Sequence, residues 1–238
     1  GVLLYNSFDK TLVDVVDNIN HLIKKIPYKF LSHEINEGIT YVQSLEGKIK
    51  LNVFGNHNLI NIEGARLACQ YMGINEIDFF EAIQSFKGVS GRLECIAKGK
   101  TSFLYKDFAH SPSKVKATKD AVLNQFSDYR IVVCFELHTY SSLDLTFLKN
   151  YADTLNGVDK TIVFYSSKVL KAKNRQAISS YQVKKSFNNQ NIELITNPIE
   201  LYKNLFNDDY YNAIVLMMSS GNFDGFNYKK FISHLENF

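Results

Sequence analysis

Tyr105-Lys106-Asp107-Phe108-Ala109-His110-Ser111-Pro112-Ser113-Lys114 sets a polar turn between an apolar run and the start of a helix. Phe103-Leu104-Tyr105 reads as strand, and the helix is predicted over 112–126. Ser111 stands at the N-cap position. Pro112 follows at the first helical position, where its missing N–H costs nothing. Strand, polar turn, helix N-terminus is the way α/β proteins present ligand-binding groups at the carboxyl end of a strand. Asp107 and His110 are therefore candidate site residues, set beside the positive end of a helix dipole. Taken alone, the same residues read more simply as a capped surface turn.

Downstream of this junction β and α patterns alternate. Strands are predicted at 131–136, 161–165, 192–195 and 212–218, and helices at about 143–155, 174–187, 198–206 and 226–236. Several strands are continuously apolar, as expected where helices cover both faces of a sheet. The expectation is an α/β domain with a mostly parallel, doubly wound sheet. Upstream, Leu93–Ala97 and Ser102–Tyr105 flank Gly99 and predict a hairpin. Three polar turns follow strands: Asp107 to His110, His138-Thr139-Tyr140-Ser141-Ser142, and Ser219-Ser220-Gly221-Asn222. In a doubly wound sheet such ends converge on one crevice.

Residues 1–88 have a different texture. Gly1–Asn6 predicts a short strand. Asp9 is expected to cap a helix carrying Leu12, Val15, Val16, Ile19 and Ile23 on one face, stopping near Pro27. Short β runs follow at 28–31, 39–42 and 49–53. Gly55-Asn56-His57-Asn58-Leu59-Ile60-Asn61 then leads into a helix to Met72, with Gly73 as its stop, and a second helix is predicted over 76–86. The two glycines of Phe86-Lys87-Gly88-Val89-Ser90-Gly91 mark a domain boundary, giving expected domains of 1–88 and 89–238. The chain opens mid-pattern on Gly1-Val2-Leu3-Leu4-Tyr5 without Met, and reads as a piece of a longer protein.

Composition narrows the function. With 27 basic against 24 acidic residues the net charge is +3, and no basic cluster is interleaved with aromatics, so nucleic acid is not an expected partner. No apolar run approaches the roughly 20 residues of a membrane-spanning helix, so no membrane partner is expected. Cys69, Cys95 and Cys134 form no CxxC pair, which reads as reduced thiols in a cytoplasmic protein. No C/H spacing supports a structural metal. Neither G-x-x-x-x-G-K-[ST] nor G-x-G-x-x-G occurs, so the chain has no evident phosphate loop of its own.

Asn58 and Asn61, three apart at a helix start, can face one ligand, and a side-chain amide matches the donor–acceptor edge of adenine. Taken alone, Asn58 reads more simply as the cap of its helix, with His57 packed nearby. Arg92, one of four arginines, follows the glycine-rich boundary. It suits either a phosphate or ribose contact or a surface pair with Glu94. His138 with Ser141, and Ser219, Ser220 and Asn222, suit a polar substrate or hydrogen-bonded turns. Neither set has the spacing of a nucleophile elbow.

In order along the chain, Gly55-x-His57-Asn58-x-x-Asn61, Phe86-x-Gly88-Val89-x-x-Arg92-Leu93-Glu94 and Asp107-Phe108-Ala109-His110-x-Pro112 with Lys116-Ala117-Thr118 resemble the Mur ligase superfamily. These are the ATP-dependent amide ligases of peptidoglycan assembly, with folylpolyglutamate synthetase as a relative. Leu137-His138-Thr139-Tyr140-Ser141 and Met218-Ser219-Ser220-Gly221-Asn222-Phe223 add two weaker matches. The resemblance implies that residues 1–88 are the C-terminal part of a central ATP-binding α/β domain and 89–238 the C-terminal Rossmann-like domain. It implies ATP and Mg2+ as cofactors, with the phosphate loop and most magnesium ligands upstream of this chain. Asn58 and Asn61 would take the adenine; Arg92, Asp107 and His110 would lie near the ribose and phosphates. His138, Ser141, Ser219, Ser220 and Asn222 would line the pocket of the incoming amine. The implied reaction joins an amine to UDP-N-acetylmuramate through an acyl phosphate. Asp-Phe-Ala-His looks closer to the ligases that add a tripeptide than to those that add L-alanine alone.

The sequence departs from the family at Lys106, where a second Asp is frequent, at Ser111 for a second His, at Gly91 for an Arg, and at Ser142 for an Arg. These departures bear on which amine is taken. The isolated chain is expected to be inactive. The alternative from another class is a non-catalytic nucleotide- or peptide-binding α/β module.

Overall fold

The computed structural model describes all residues, Gly1–Phe238, and the chain divides into two compact units, Gly1–Gly88 and Val89–Phe238. In the first, β1 (Val2–Asn6) pairs in parallel with β2 (Lys24–Tyr28), and α1 (Lys10–Asp17) connects them. The Asp9 carboxylate caps α1 by accepting the Leu12 N–H at 3.0 Å. The helix is shorter than its apolar pattern predicts. Only Val16 of that pattern is buried, Val15 is exposed, and 24–28 leaves the helix to form a ladder with β1. Pro27 is tolerated because β2 is an edge strand.

Three antiparallel strands follow: β3 (His33–Asn36), β4 (Ile39–Ser44) and β5 (Gly47–Leu51). Then come α2 (Asn56–Tyr71) and α3 (Glu76–Ile83). Val42 and Leu51 from this sheet, Val53, Leu59 and Ile62 from the entry to and first turns of α2, and Phe79 and Phe80 from α3 form one apolar core.

The second unit is a six-stranded sheet of order β10-β9-β8-β11-β7-β6. Its strands are β6 (Glu94–Lys98), β7 (Phe103–Asp107), β8 (Arg130–Glu136), β9 (Lys160–Phe164), β10 (Ile192–Ile195) and β11 (Ala213–Met218). All ladders are parallel except β6 against β7, the hairpin at Gly99. The helices are α4 (Pro112–Gln125), α5 (Leu145–Leu148), α6 (Ser167–Ala172), α7 (Ser180–Phe187), α8 (Pro198–Phe206) and α9 (Tyr228–Leu235).

Both sheet faces are covered, which is why β8 and β11 are apolar throughout. On one face Val132 and Cys134 of β8 join Val215 and Met217 of β11 under Leu201, Leu205, Phe231 and Leu235 of α8 and α9. On the other, Phe135 packs on Tyr151 and Phe187, with ring centroids 5.4 and 6.3 Å away. Two helices differ from expectation. The one predicted from 143 shrinks to α5 and a single 3-10 turn, Lys149–Tyr151, because the chain turns extended at Ala152 and left-handed at Asp153. The one predicted over 174–187 starts late, because a Ser179–Gln182 capping box fixes the start of α7. The separate α6 precedes it. No helix is long and apolar enough to cross a membrane.

At the opposite, N-terminal edge of the sheet, Asp208 lies between Arg130 and Lys160, each 3.1 Å away. Burial pushes its carboxyl up, but the hydrogen bonds from Arg130 and Lys160 outweigh this and hold it below the usual carboxylate range. A carboxyl depressed in the folded state adds stability above its unfolded pKa, and that stability is lost as pH falls through the folded value. Solvent screening limits the contribution. Asp208→Asn is therefore expected to cost about 1 kcal/mol in urea unfolding at pH 7. The difference from the parent should shrink as pH falls below about 4.

Candidate functional site

Strands β7, β11 and β8 are neighbours and parallel, so their carboxyl ends open at one edge of the sheet. The three polar turns of the sequence meet there, and the Ser219 N–H donates to the Asp107 carbonyl oxygen at 3.0 Å.

Asp107 closes β7 and is buried. Its Oδ2 accepts the Leu93 N–H at 2.6 Å. Its Oδ1 accepts the Ala109 N–H at 2.5 Å and the Thr118 hydroxyl of α4 at 3.3 Å. The carboxylate thus ties three segments together: the turn before β6, the end of β7 and the second turn of α4. Leu93 takes a left-handed backbone, φ 44°, and the bond to Asp107 is what holds its amide in place. Its oxygens are engaged within the protein, so Asp107 shapes the turn that carries its neighbours.

His110 is half-buried at the end of that turn. Its Nδ1 lies 2.8 Å from the Phe108 carbonyl. A carbonyl only accepts, so Nδ1 carries the proton. The Tyr151 hydroxyl donates to the His110 carbonyl oxygen, and the exposed Phe108 ring stands edge-on to the imidazole at 5.2 Å. Ser111 does occupy the N-cap with extended backbone, but its hydroxyl makes no cap bond. The first turn of α4 therefore has no side-chain acceptor from its own cap, and such amides suit an anionic oxygen.

Arg92 is exposed and makes no pair with Glu94. The Glu94 carboxylate instead accepts the Gly91 N–H at 2.6 Å and the Ser90 hydroxyl at 3.1 Å.

The second turn brings a residue that the sequence did not single out. Glu136, the last residue of β8, is 1% exposed. Its Oε2 accepts the Ser219 hydroxyl and the Phe223 N–H, the latter at 2.9 Å. Its Oε1 faces His138 Nδ1 at 3.4 Å. Its signal was the one charge at the end of the apolar run Ile131–Leu137. Ser141 is exposed, with its Oγ 3.1 Å from Thr139 Oγ1, and Ser142 is buried on Thr139.

In the third turn Ser219 is buried; its hydroxyl proton goes to Glu136, and its Oγ also accepts the Gly221 N–H at 2.6 Å. The Ser220 hydroxyl is buried without a partner. The Asn222 side chain closes its own turn, Oδ1 accepting the Gly225 N–H at 3.1 Å.

Asn58 and Asn61 lie in the first unit, on the opening turns of α2. Gly55 starts this helix at φ 86°, ψ 144°, a backbone that side chains resist, and its carbonyl accepts the Asn58 and Leu59 amides. Asn58 does not cap. Its Nδ2 donates back to the Phe54 carbonyl at 2.8 Å, while Asn61 is exposed. No group of three or more His, Cys, Asp or Glu side chains is placed to hold a metal ion.

No family model matches the chain. The UDP-N-acetylmuramate–L-alanine ligase of Caldicellulosiruptor bescii is 31% identical over 175 residues, covering 68% of this chain and 38% of that protein. The ligase of the same name from Clostridium acetobutylicum is 27% identical over 241 residues, covering 93% of this chain and 50% of that protein. Among solved structures, the UDP-N-acetylmuramate–alanine ligase of Thermotoga maritima matches with a TM-score of 0.70 at 17% identity, over 99% of this chain and 52% of that one. A murein peptide ligase from Psychrobacter arcticus matches with a TM-score of 0.58 at 17% identity, over all of this chain and 52% of that one. Fold and site together define a mostly parallel α/β unit with its polar turns at the strand ends. The chain belongs to the Mur ligase superfamily. It spans half or less of the length of these curated relatives.

Proposed function

We propose that this chain is the adenosine- and amine-binding portion of an ATP-dependent amide ligase acting on UDP-N-acetylmuramate in the cytoplasm. The observation that carries the reading is the meeting of the Asp107–His110, Glu136–His138 and Ser219–Asn222 turns at the carboxyl ends of three adjacent parallel strands. Residues 1–88 then belong to the central ATP-binding domain and 89–238 to the C-terminal one.

Asn58 and Asn61 are the adenine candidates, because side-chain amides match its donor–acceptor edge. Arg92, unpaired with any carboxylate, and His110, with Nδ1 already bonded, are the candidates for ribose and phosphates. Asp107 acts by holding the turn. His138, Ser141, Ser220 and the backbone around Asn222 form the amine side, and Ser219 supports it from below. ATP supplies the phosphoryl group that activates the carboxylate. Among these residues no group of three or more His, Cys, Asp or Glu side chains is placed to hold Mg2+. The amine is L-alanine or an L-alanyl tripeptide.

The test is nucleotide binding by the 238-residue chain. ADP should perturb the NMR resonances of Asn58, Asn61, Arg92 and His110, and Arg92→Ala should weaken binding about tenfold, near 1.4 kcal/mol. Absence of any response at these residues overturns the nucleotide assignment. Ligation by the isolated chain would overturn its expected inactivity. Nucleotide binding without ligation, in a longer chain that carries a phosphate loop, would favour the non-catalytic module.

A further inference from the structure

Glu136 Oε1 and His138 Nδ1 are both shut off from solvent, neither has a hydrogen bond, and they stand 3.4 Å apart. A carboxylate oxygen can only accept. An unsatisfied buried polar atom is costly. The arrangement that satisfies both atoms puts the imidazole proton on Nδ1, directed at Oε1, and leaves the lone pair on Nε2. The rest of the surroundings hold this geometry. Glu136 Oε2 is fixed by the Ser219 hydroxyl and the Phe223 amide. The Gly221 backbone lies against the imidazole so closely that a Cβ there would fall 2.4 Å from Nδ1. Nε2 is not among the buried unpartnered atoms, and the His138 side chain keeps 30% exposure. The ring is clamped on one edge and open on the other.

We propose that Glu136 is a positioning residue that holds His138 as proton acceptor for the ammonium group of the incoming amine. The proposal rests on the ligase reading above. An amine attacks an acyl phosphate only after losing a proton. His138 Nε2 takes that proton from the ammonium nitrogen. The freed lone pair forms the C–N bond, and the C–O bond to phosphate breaks with its electron pair leaving on phosphate. The second nitrogen proton passes to the departing phosphate, and His138 returns its own proton to water. The buried Glu136 carboxylate stabilises the imidazolium while it exists, and binds the neutral ring in the tautomer that can accept.

The test is 15N histidine NMR on the 238-residue chain at about pH 8.5, where an ordinary imidazole is neutral. His138 is expected as the Nδ1–H tautomer. Glu136→Leu and Glu136→Ala should both lose that tautomer. The Nε2–H tautomer in the parent chain overturns the proposal whether or not the variants fold. Adding L-alanine should then shift the Nε2 resonance, and N-acetyl-L-alanine, which has no ammonium, should not. An equal response to both, or none, also overturns it. ADP binding separates the two readings. A chain that binds ADP but shows the wrong tautomer loses this proposal and keeps the ligase assignment. A chain with the right tautomer and amine response that ignores ADP keeps the amine site and loses the nucleotide assignment.

Discussion

An Asp107→Ala chain is expected to be less stable than its parent by about 3 kcal/mol, read as a fall in the urea midpoint without a change of slope. The substitution removes a buried anion that accepts from the Leu93 and Ala109 amides and the Thr118 hydroxyl. Alanine leaves two backbone N–H groups in the interior with nothing to accept them, each costing roughly 1–3 kcal/mol. Leu93 should respond most, because its left-handed backbone loses the bond that fixes its amide. Asp107→Asn separates charge from shape. An amide oxygen can replace one carboxylate oxygen, but its NH2 then points a donor at another donor. Asn should therefore recover less than half of the loss. A variant as stable as the parent would show that the carboxylate is not what holds the turn.

Gly221→Ala is expected to cost about 2 kcal/mol and to move the His138 ring. The added Cβ would fall 2.4 Å from Nδ1 and 2.7 Å from Cγ and Cε1 of the imidazole, closer than non-bonded atoms approach. Either the ring swings away or the Ser219–Asn222 turn backs off. The turn is anchored, since Ser219 binds Asp107 and Glu136 and Phe223 binds Glu136. The ring, with 30% exposure, is the part free to yield. Thermal unfolding measures the first effect, and the His138 side-chain resonances the second. Unchanged resonances together with a small loss of stability would mean that the loop, rather than the ring, gives way.

Much of the second unit was legible because its strands are buried on both faces. Ile131 to Phe135 and Ala213 to Met218 are uninterrupted apolar runs, ended by polar turns. The Lys24–Tyr28 strand was not legible. Its lysines and Pro27 look unlike a strand, and only pairing with Val2–Asn6 makes it one. The site divides in the same way. Asp107 and His110 could be picked out because a strand, a turn and a helix start are local features. What their atoms do could not, because the partners Leu93, Thr118 and Tyr151 lie 14, 11 and 41 residues away. Glu136 passed as the end of an apolar strand, since the serine and amide that satisfy it come from 83 and 87 residues downstream.

The placement of β11 carries a consequence for how the molecule is made. It is the last strand in chain order and sits in the middle of the sheet, between β7 and β8. While the chain emerges from a ribosome, β7 and β8 are synthesised with no ladder to each other and wait for Ala213–Met218 to arrive. Until then each presents an unpaired apolar edge, the kind of surface on which nascent chains stick to one another. The sheet is completed by insertion, and its non-local pairing makes that step slow. A chain cut before Ala213 would therefore leave the second unit as two half-sheets, β10-β9-β8 and β7-β6, each with an exposed apolar edge.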